Sequence, residues 1–191
     1  MHESKDRARQ ALLAGINRRD FLRMGAVTTA TLLASPVFAG TAGKVERKLG
    51  LHNTHTGENL TATYWAEGSY IDSELQNINT LLRDHRSGDV YPIETDLLDL
   101  LFVLQSTVGC RKAYEVISGY RSPATNAKLR SKSSGVAKRS YHMQGKAIDI
   151  RLPGCDLKHL HTAALSIEAG GVGYYPGSDF IHVDTGPRRS W

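Results

Sequence analysis

The sequence predicts an α+β domain in which a small antiparallel sheet packs against helices. Three observations carry that expectation: a hairpin signal near residue 50, apolar residues at helical spacing between residues 71 and 108, and two period-2 segments near residues 150 and 182. In chain order, Leu49–His55 and Asn59–Trp65 flank Thr56-Gly57-Glu58 and read as a β-hairpin. Two helices should follow, the first carrying Ile71, Leu75, Ile78, Leu81 and Leu82. The second carries Leu97, Leu98, Leu101, Leu104 and Val108 after a cap at Thr95. These apolar stripes are core positions. Ala113–Ser118 reads as a short buried strand, and Ser122-Pro123 offers an N-cap and a first-turn proline for a helix toward Arg130. The small, polar and basic stretch Ser131–Arg139 reads as a surface loop. A strand over Lys146–Leu152, a helix over Leu157–Glu168, a turn at Gly170-Gly171 and strands over Val172–Tyr175 and Phe180–Asp184 complete the domain.

The chain has 191 residues and a formal charge of +5. Residues 1–39 hold six Lys/Arg against three acids, a surplus of +3, which leaves +2 for the remainder. So small a surplus gives no electrostatic case for a nucleic-acid partner, which needs a clustered basic face. Asn17-Arg18-Arg19-Asp20-Phe21-Leu22-Arg23 precedes a weakly apolar run, Met24–Leu33, and then Ser35-Pro36-Val37-Phe38-Ala39. This resembles a twin-arginine export signal, with cleavage expected after Ala39. The run is too short and too rich in Thr, Ala and Gly for a membrane anchor. The expected organisation is therefore a signal over residues 1–39, a linker over 40–48 and one domain over 49–191, soluble in the periplasm. Cys110 and Cys155 would then sit in an oxidising compartment, where pairing is permitted but not required.

Ser140-Tyr141-His142-Met143-Gln144-Gly145-Lys146-Ala147-Ile148-Asp149 contains a His and an Asp seven apart, and Phe180-Ile181-His182-Val183-Asp184 supplies a second His. Three N/O ligands with an open fourth position is the arrangement of catalytic zinc. Ile148, Ile150 and Leu152 alternate with Asp149, so if the isoleucines face the core, Asp149 faces away from it. Ile181 and Val183 take the core in the last strand, and His182 and Asp184 project together onto the other side. An odd separation of seven puts His142 and Asp149 on opposite faces of a straight strand, so the chain must bend between them, at Gln144-Gly145. An unpaired buried carboxylate on that face is costly without a cation. His52, His55, His85, His159 and His161 have no ligand-like partners in the sequence.

The segments Leu51-His52-Asn53-Thr54-His55-Thr56-Gly57-Glu58, Ser118-Gly119-Tyr120-Arg121-Ser122, Gly135-Val136-Ala137-Lys138, Ser140 through Asp149, Ala169-Gly170-Gly171-Val172-Gly173-Tyr174-Tyr175-Pro176 and Phe180 through Pro187 carry a family resemblance. Together they resemble the YcbK-like murein endopeptidases (murein endopeptidase K), and the likeness spans essentially the whole chain. That family belongs to the LAS group of zinc peptidases, with D-alanyl-D-alanine carboxypeptidases and dipeptidases, lysostaphin-type enzymes and the hedgehog zinc domain. The resemblance implies a hedgehog/D-Ala-D-Ala-peptidase-like fold and one Zn2+ held by His142, Asp149 and His182.

The same resemblance implies roles for neighbouring residues. Hydrolysis needs a general base near the metal, and LAS enzymes carry it two or three residues before the last His ligand. Phe180 cannot serve there, which leaves Asp179. Asp184, on the face of His182, is the favoured base, with orientation of a ligand His as its alternative role. Arg121 is expected to stabilise a developing oxyanion. Ser140 and Asn126 are expected to bind substrate or order loops, and Tyr174 and Tyr175 to line the cleft or pack half-buried. The implied function is cleavage of peptidoglycan stem-peptide cross-links next to meso-diaminopimelate in cell wall remodelling. It favours 3-3 bridges and leaves acceptance of 4-3 bridges open. The alternatives are a carboxypeptidase or dipeptidase of the same zinc group and a non-catalytic zinc domain that binds the wall.

Overall fold

The computed structural model describes residues 46–133 and 135–191. The expected signal over residues 1–39 and the linker up to residue 45 lie outside the described residues. Eight strands form one sheet: β1 (Arg47–Asn53), β2 (Asn59–Ala66), β3 (Ser69–Tyr70), β4 (Tyr114–Ser118), β5 (Ala147–Arg151), β6 (Gly171–Tyr175), β7 (Phe180–Asp184) and β8 (Arg189–Ser190). Among the described residues four α-helices accompany them: α1 (Asp72–Leu81), α2 (Thr95–Thr107), α3 (Pro123–Arg130) and α4 (Leu157–Ile167). The spatial order of the strands is β3-β2-β1-β4-β5-β7-β6-β8. The class is α+β, as expected, but the sheet is larger and not wholly antiparallel. The pairs β1/β4 and β6/β8 are parallel, and β3 and β8 are two-residue edge strands without a pattern of their own.

The hairpin forms because Leu49, Leu51, Ala62 and Tyr64 alternate inward on paired strands, all fully buried. Its first strand begins at Arg47, two residues before the expected start, because Arg47 is itself buried. Its Nη1 donates to Asp99 Oδ1 on α2 at 2.7 Å. Tyr64 and Tyr70 donate their hydroxyls to the same carboxylate at 3.0 and 2.9 Å, so one acid ties α2 to the hairpin and its edge strand. Leu97, Leu98, Leu101 and Leu104 of α2 are buried in the same core as Ile78, Leu81 and Leu82 at the end of α1. The cap of α2 is Glu94 rather than Thr95, which forms the first helical residue. Ser122 caps α3 as expected, its hydroxyl accepting from the Thr125 N–H at 3.3 Å with Pro123 in the first turn. Cys110 and Cys155 stand as free, half-buried thiols packed against this core.

Helix α4 covers one face of β6 and β7, where Ile181 and Val183 are fully buried. The opposite face of β5 and β7 is where the polar residues gather. Among the described residues no helix is long and apolar enough to cross a membrane.

Candidate metal centre

Strands β5 and β7 run antiparallel with Asp149 directly opposite His182 and Ala147 opposite Asp184. The period-2 alternation therefore sends Asp149, His182 and Asp184 to one face while Ile148, Ile150, Ile181 and Val183 fill the core. His142 reaches the same place from a 3₁₀ turn, Tyr141–Gln144, which ends at Gly145 with φ +65°. This is the bend that the spacing of His142 and Asp149 requires. A side chain at Gly145 would put its Cβ 2.1 Å from the Pro92 carbonyl oxygen, so both the left-handed φ and the close approach demand glycine. The Gly145 carbonyl then accepts from the Glu94 N–H at 2.9 Å, which joins the bend to the start of α2.

The partners of the two imidazoles set which nitrogen can face Asp149 with a lone pair. Gly119 O can only accept, so at 2.8 Å it takes an N–H from His142 Nδ1 and leaves Nε2 with a lone pair. His182 stands between two carboxylates, Nε2 2.9 Å from Asp184 Oδ2 and Nδ1 2.9 Å from Asp149 Oδ1, and the neutral ring that gives its N–H to Asp184 keeps a lone pair on Nδ1. Both lone pairs aim at Asp149. Its Oδ1 lies 3.3 Å from His142 Nε2 and 2.9 Å from His182 Nδ1, and the three ligand atoms fall within 4.8 Å of one another. All three residues are buried. Three acceptors that converge in a buried place need a cation between them, either a proton or a metal ion. Burial pushes the Asp149 carboxyl up, but His142 and His182 outweigh it and hold it well below the usual carboxylate range. Burial opposes charge on His182, yet hydrogen bonds to Asp149 and Asp184 hold its pKa above the ordinary imidazole value. The donor set, two neutral imidazole nitrogens and a carboxylate, fits a zinc-type ion with a position left open.

Arg121 borders the cluster with its Nη2 3.8 Å from Asp149 Oδ2. Ser118 Oγ accepts from Nη2 at 3.3 Å and Asn126 Oδ1 from Nη1 at 3.5 Å, while the buried Nε has no partner. Burial lowers the guanidinium's pKa and Asp149 works against that shift. Asp184 is fully buried. Its Oδ1 accepts from the Gly171 and Gly186 N–H groups at 3.2 and 2.8 Å, and Arg189 donates to Oδ1 and Oδ2 at 3.1 and 2.6 Å.

Residues 41–191 match the family model described as peptidoglycan L,D-endopeptidase MepK. The chain belongs to this MepK family. The peptidoglycan L,D-endopeptidase MepK of Escherichia coli K12 is 46% identical over 176 residues, covering 92% of this chain and 97% of the relative. The Shigella flexneri protein of the same name gives the same figures, 46% over 176 residues. The probable MepK of Haemophilus influenzae is 41% identical over 177 residues, covering 92% and 95% respectively. The MepK family belongs to the M15 metallopeptidases, so this chain is a peptidase with a candidate metal site at His142, Asp149 and His182.

Against this MepK-family site, the other residues singled out in the sequence fall as follows. Arg121 is at the cluster. Asn126 is buried and holds Arg121 on one side, and on the other its Nδ2 donates to the Ala137 carbonyl at 3.1 Å, which pins the loop after α3. Ser140 is buried immediately before the 3₁₀ turn that carries His142. Tyr174 is not on the site face. It pairs with Ile181 and stacks on His161 of α4 with ring centres 4.7 Å apart, so alternation along β6 turns it toward the helix and rules it out as a cleft residue. Its neighbour Tyr175 faces the site side, stacked on Phe180 at 4.6 Å. Asp179 is exposed in the turn before β7, 3.2 Å from Arg151, and lines a separate recess of about 390 Å³ with Glu115 and Cys155. It is not part of the converging set. Sequence reasoning missed Arg189, Trp191 and the Gly119 carbonyl. The edge strand that carries Arg189 is too short to show periodicity, and a backbone oxygen leaves no signature in side-chain identity.

Proposed function

We propose that this chain is a zinc-dependent peptidoglycan endopeptidase that cuts stem-peptide cross-links next to meso-diaminopimelate, preferring 3-3 bridges and also accepting 4-3 bridges. The observation that carries the reading is the convergence of three buried lone pairs, from His142, Asp149 and His182, in a member of the MepK family. When bound there, Zn2+ supplies Lewis acidity toward a peptide carbonyl and lowers the pKa of water. Arg121, fixed by Ser118 and Asn126, is placed to neutralise negative charge growing on the carbonyl oxygen. The sequence favours Asp184 as general base. Its carboxylate already accepts from two backbone N–H groups, Arg189 and His182, and these partners outweigh burial and hold its pKa low. A saturated, weakly basic carboxylate suits the alternative role, holding the His182 tautomer and ring orientation. Asp179, turned toward Arg151, has no place in this reading as a base.

Purified 3-3 and 4-3 cross-linked dimers incubated with the zinc-loaded enzyme should yield monomers, the 3-3 dimer faster. Removal of terminal D-Ala with both dimers left intact would instead make the chain a carboxypeptidase. The proposed site of action is the periplasm, reached through the twin-arginine route. Changing Arg18 and Arg19 to Lys should then retain precursor in the cytoplasm, and undiminished export would refute that route.

A further inference from the structure

On β6 the residue opposite His182 is Gly173. A side chain there would collide with the Trp191 indole, because a Cβ would lie 2.8 Å from its Cε2 and 2.9 Å from its Cζ2 and Nε1. The bare position is thus the seat on which the indole rests, with its ring centre 5.3 Å from that of His182. Four contacts hold Trp191, two through its backbone and two through its indole. The Trp191 N–H donates to the Val172 carbonyl at 3.3 Å, and its own carbonyl accepts from the Tyr174 N–H at 3.0 Å. Nε1 donates to the Tyr175 hydroxyl at 2.6 Å, and the Arg189 guanidinium, itself bound to Asp184, sits 5.0 Å from the ring. Trp191 nevertheless stays 50% exposed. Tyr175 and Phe180 continue the aromatic row along the same face.

Packing explains why the indole is held in place. It does not explain an exposed aromatic face beside a metal ligand, since a large apolar side chain gains nothing from half its surface remaining in water. A rigid aromatic with few rotatable bonds is an efficient contact surface for a ligand, because little side-chain entropy is lost when it is covered. The distance identifies which part of a ligand it meets. One extended residue spans about 3.3–3.6 Å, so a ring beside His182 faces the residue flanking the scissile bond, not a sugar at the far end of a stem. We propose that Trp191, seated on Gly173 and tied to Tyr175, is a wall of the substrate cleft that positions the aliphatic stem of the residue flanking the scissile bond. This rests on the peptidoglycan-peptide reading given above.

Trp65 and Trp191 are the two tryptophans of the sequence. Trp65 lies on the hairpin beneath Arg47, so Trp65→Phe leaves Trp191 as the reporter. With zinc-loaded Trp65→Phe protein, a glycan-free diaminopimelate tripeptide should change the emission saturably. With glycan-free cross-linked dimers, Trp191→Ala should raise KM about ten-fold and change kcat far less, and Trp191→Phe should recover most of the loss. Zinc content and the circular-dichroism melt should match the wild type. Unchanged KM in Trp191→Ala, with the wild type cleaving dimers, overturns this proposal alone. A defect seen only on glycan-bearing sacculi overturns it in favour of sugar stacking. Failure of the wild type to cleave any dimer overturns the peptidoglycan reading and this inference with it.

Discussion

Asp149 and His182 face each other across the β5/β7 ladder with Oδ1 and Nδ1 2.9 Å apart. With the proton of the neutral His182 ring directed to Asp184, these two atoms meet as acceptors and hold either a second proton or a metal ion between them. Removing one partner should therefore abolish the cation site while the ladder, made by backbone, survives. His182→Ala is expected to lose the single bound zinc and all endopeptidase activity, yet keep its circular-dichroism spectrum. Elemental analysis of the purified variant, with activity measured after zinc is added back, checks this. Activity retained in the variant or in metal-stripped protein would refute the ligand assignment.

Asp184 tests orientation separately from ligation. An amide at this place keeps the volume and one acceptor oxygen but loses the charge that Arg189 and the His182 N–H share. Asp184→Asn should weaken zinc binding by about 10–100-fold, the usual range for losing the partner of a ligand imidazole. Added zinc should restore much of the activity. A general base would behave differently: zinc affinity would hold and activity would stay low at saturating metal. Competition with a chromophoric chelator, run beside the kinetics, separates the two.

The site was legible where a short-range pattern determines it. Alternation of Ile148, Ile150, Ile181 and Val183 with Asp149, His182 and Asp184 sets the faces of β5 and β7, and the odd spacing of His142 and Asp149 requires the bend that Gly145 makes. Ser122-Pro123 marks the start of α3 for the same local reason. What stayed hidden depends on partners distant in sequence. The facing of Tyr174 follows from its register with Ile181, the reach of β1 to Arg47 from Asp99 some fifty residues later, and β8 from its alignment with β6. Two-residue edge strands carry too few side chains to show any period.

The buried acid Asp99 is where the fold should be most sensitive to a single substitution. It accepts from Arg47, Tyr64 and Tyr70, and its removal leaves a buried guanidinium without its charge partner. Breaking such a pair from one side costs about 3–5 kcal/mol. Asp99→Ala should lower the urea midpoint accordingly. Arg47→Met, which keeps apolar volume beside Trp65 but takes the guanidinium away from the buried Asp99 carboxylate, should cost a comparable amount. A loss in Arg47→Met much smaller than that in Asp99→Ala would mean that the ion pair contributes little and the tyrosine hydrogen bonds carry the joint.

Acid should destabilise the domain in two stages that begin away from the metal ligands. His85 lies stacked on His55 at 3.9 Å. Burial, the Arg86 charge and His55 together lower its pKa from 6.5 to about 4, with Asp84 opposing and Arg121 adding to the shift. The unfolded chain therefore binds a proton at this residue before the folded one does, so stability falls as pH drops from about 6.5 toward 4. Asp84 comes next. Burial raises its carboxyl, but hydrogen bonds from Thr125, Ser122 and Arg86 outweigh it and hold the pKa well below the usual carboxylate range. Its contribution is complete above the unfolded value of about 3.9 and is lost as pH falls below it. His85→Gln should flatten the upper stage, and Asp84→Asn should reduce the slope of the lower, which Asp149 and Asp184 share. Asp84→Asn should also lower stability at neutral pH, because the Ser122 and Arg86 N–H groups lose a charged acceptor. Urea unfolding of zinc-free protein at half-unit steps from pH 7.5 to 2 reads the upper stage and the onset of the lower. Parallel curves for wild type and His85→Gln between pH 6.5 and 4 would show that the histidine stack does not set the upper stage.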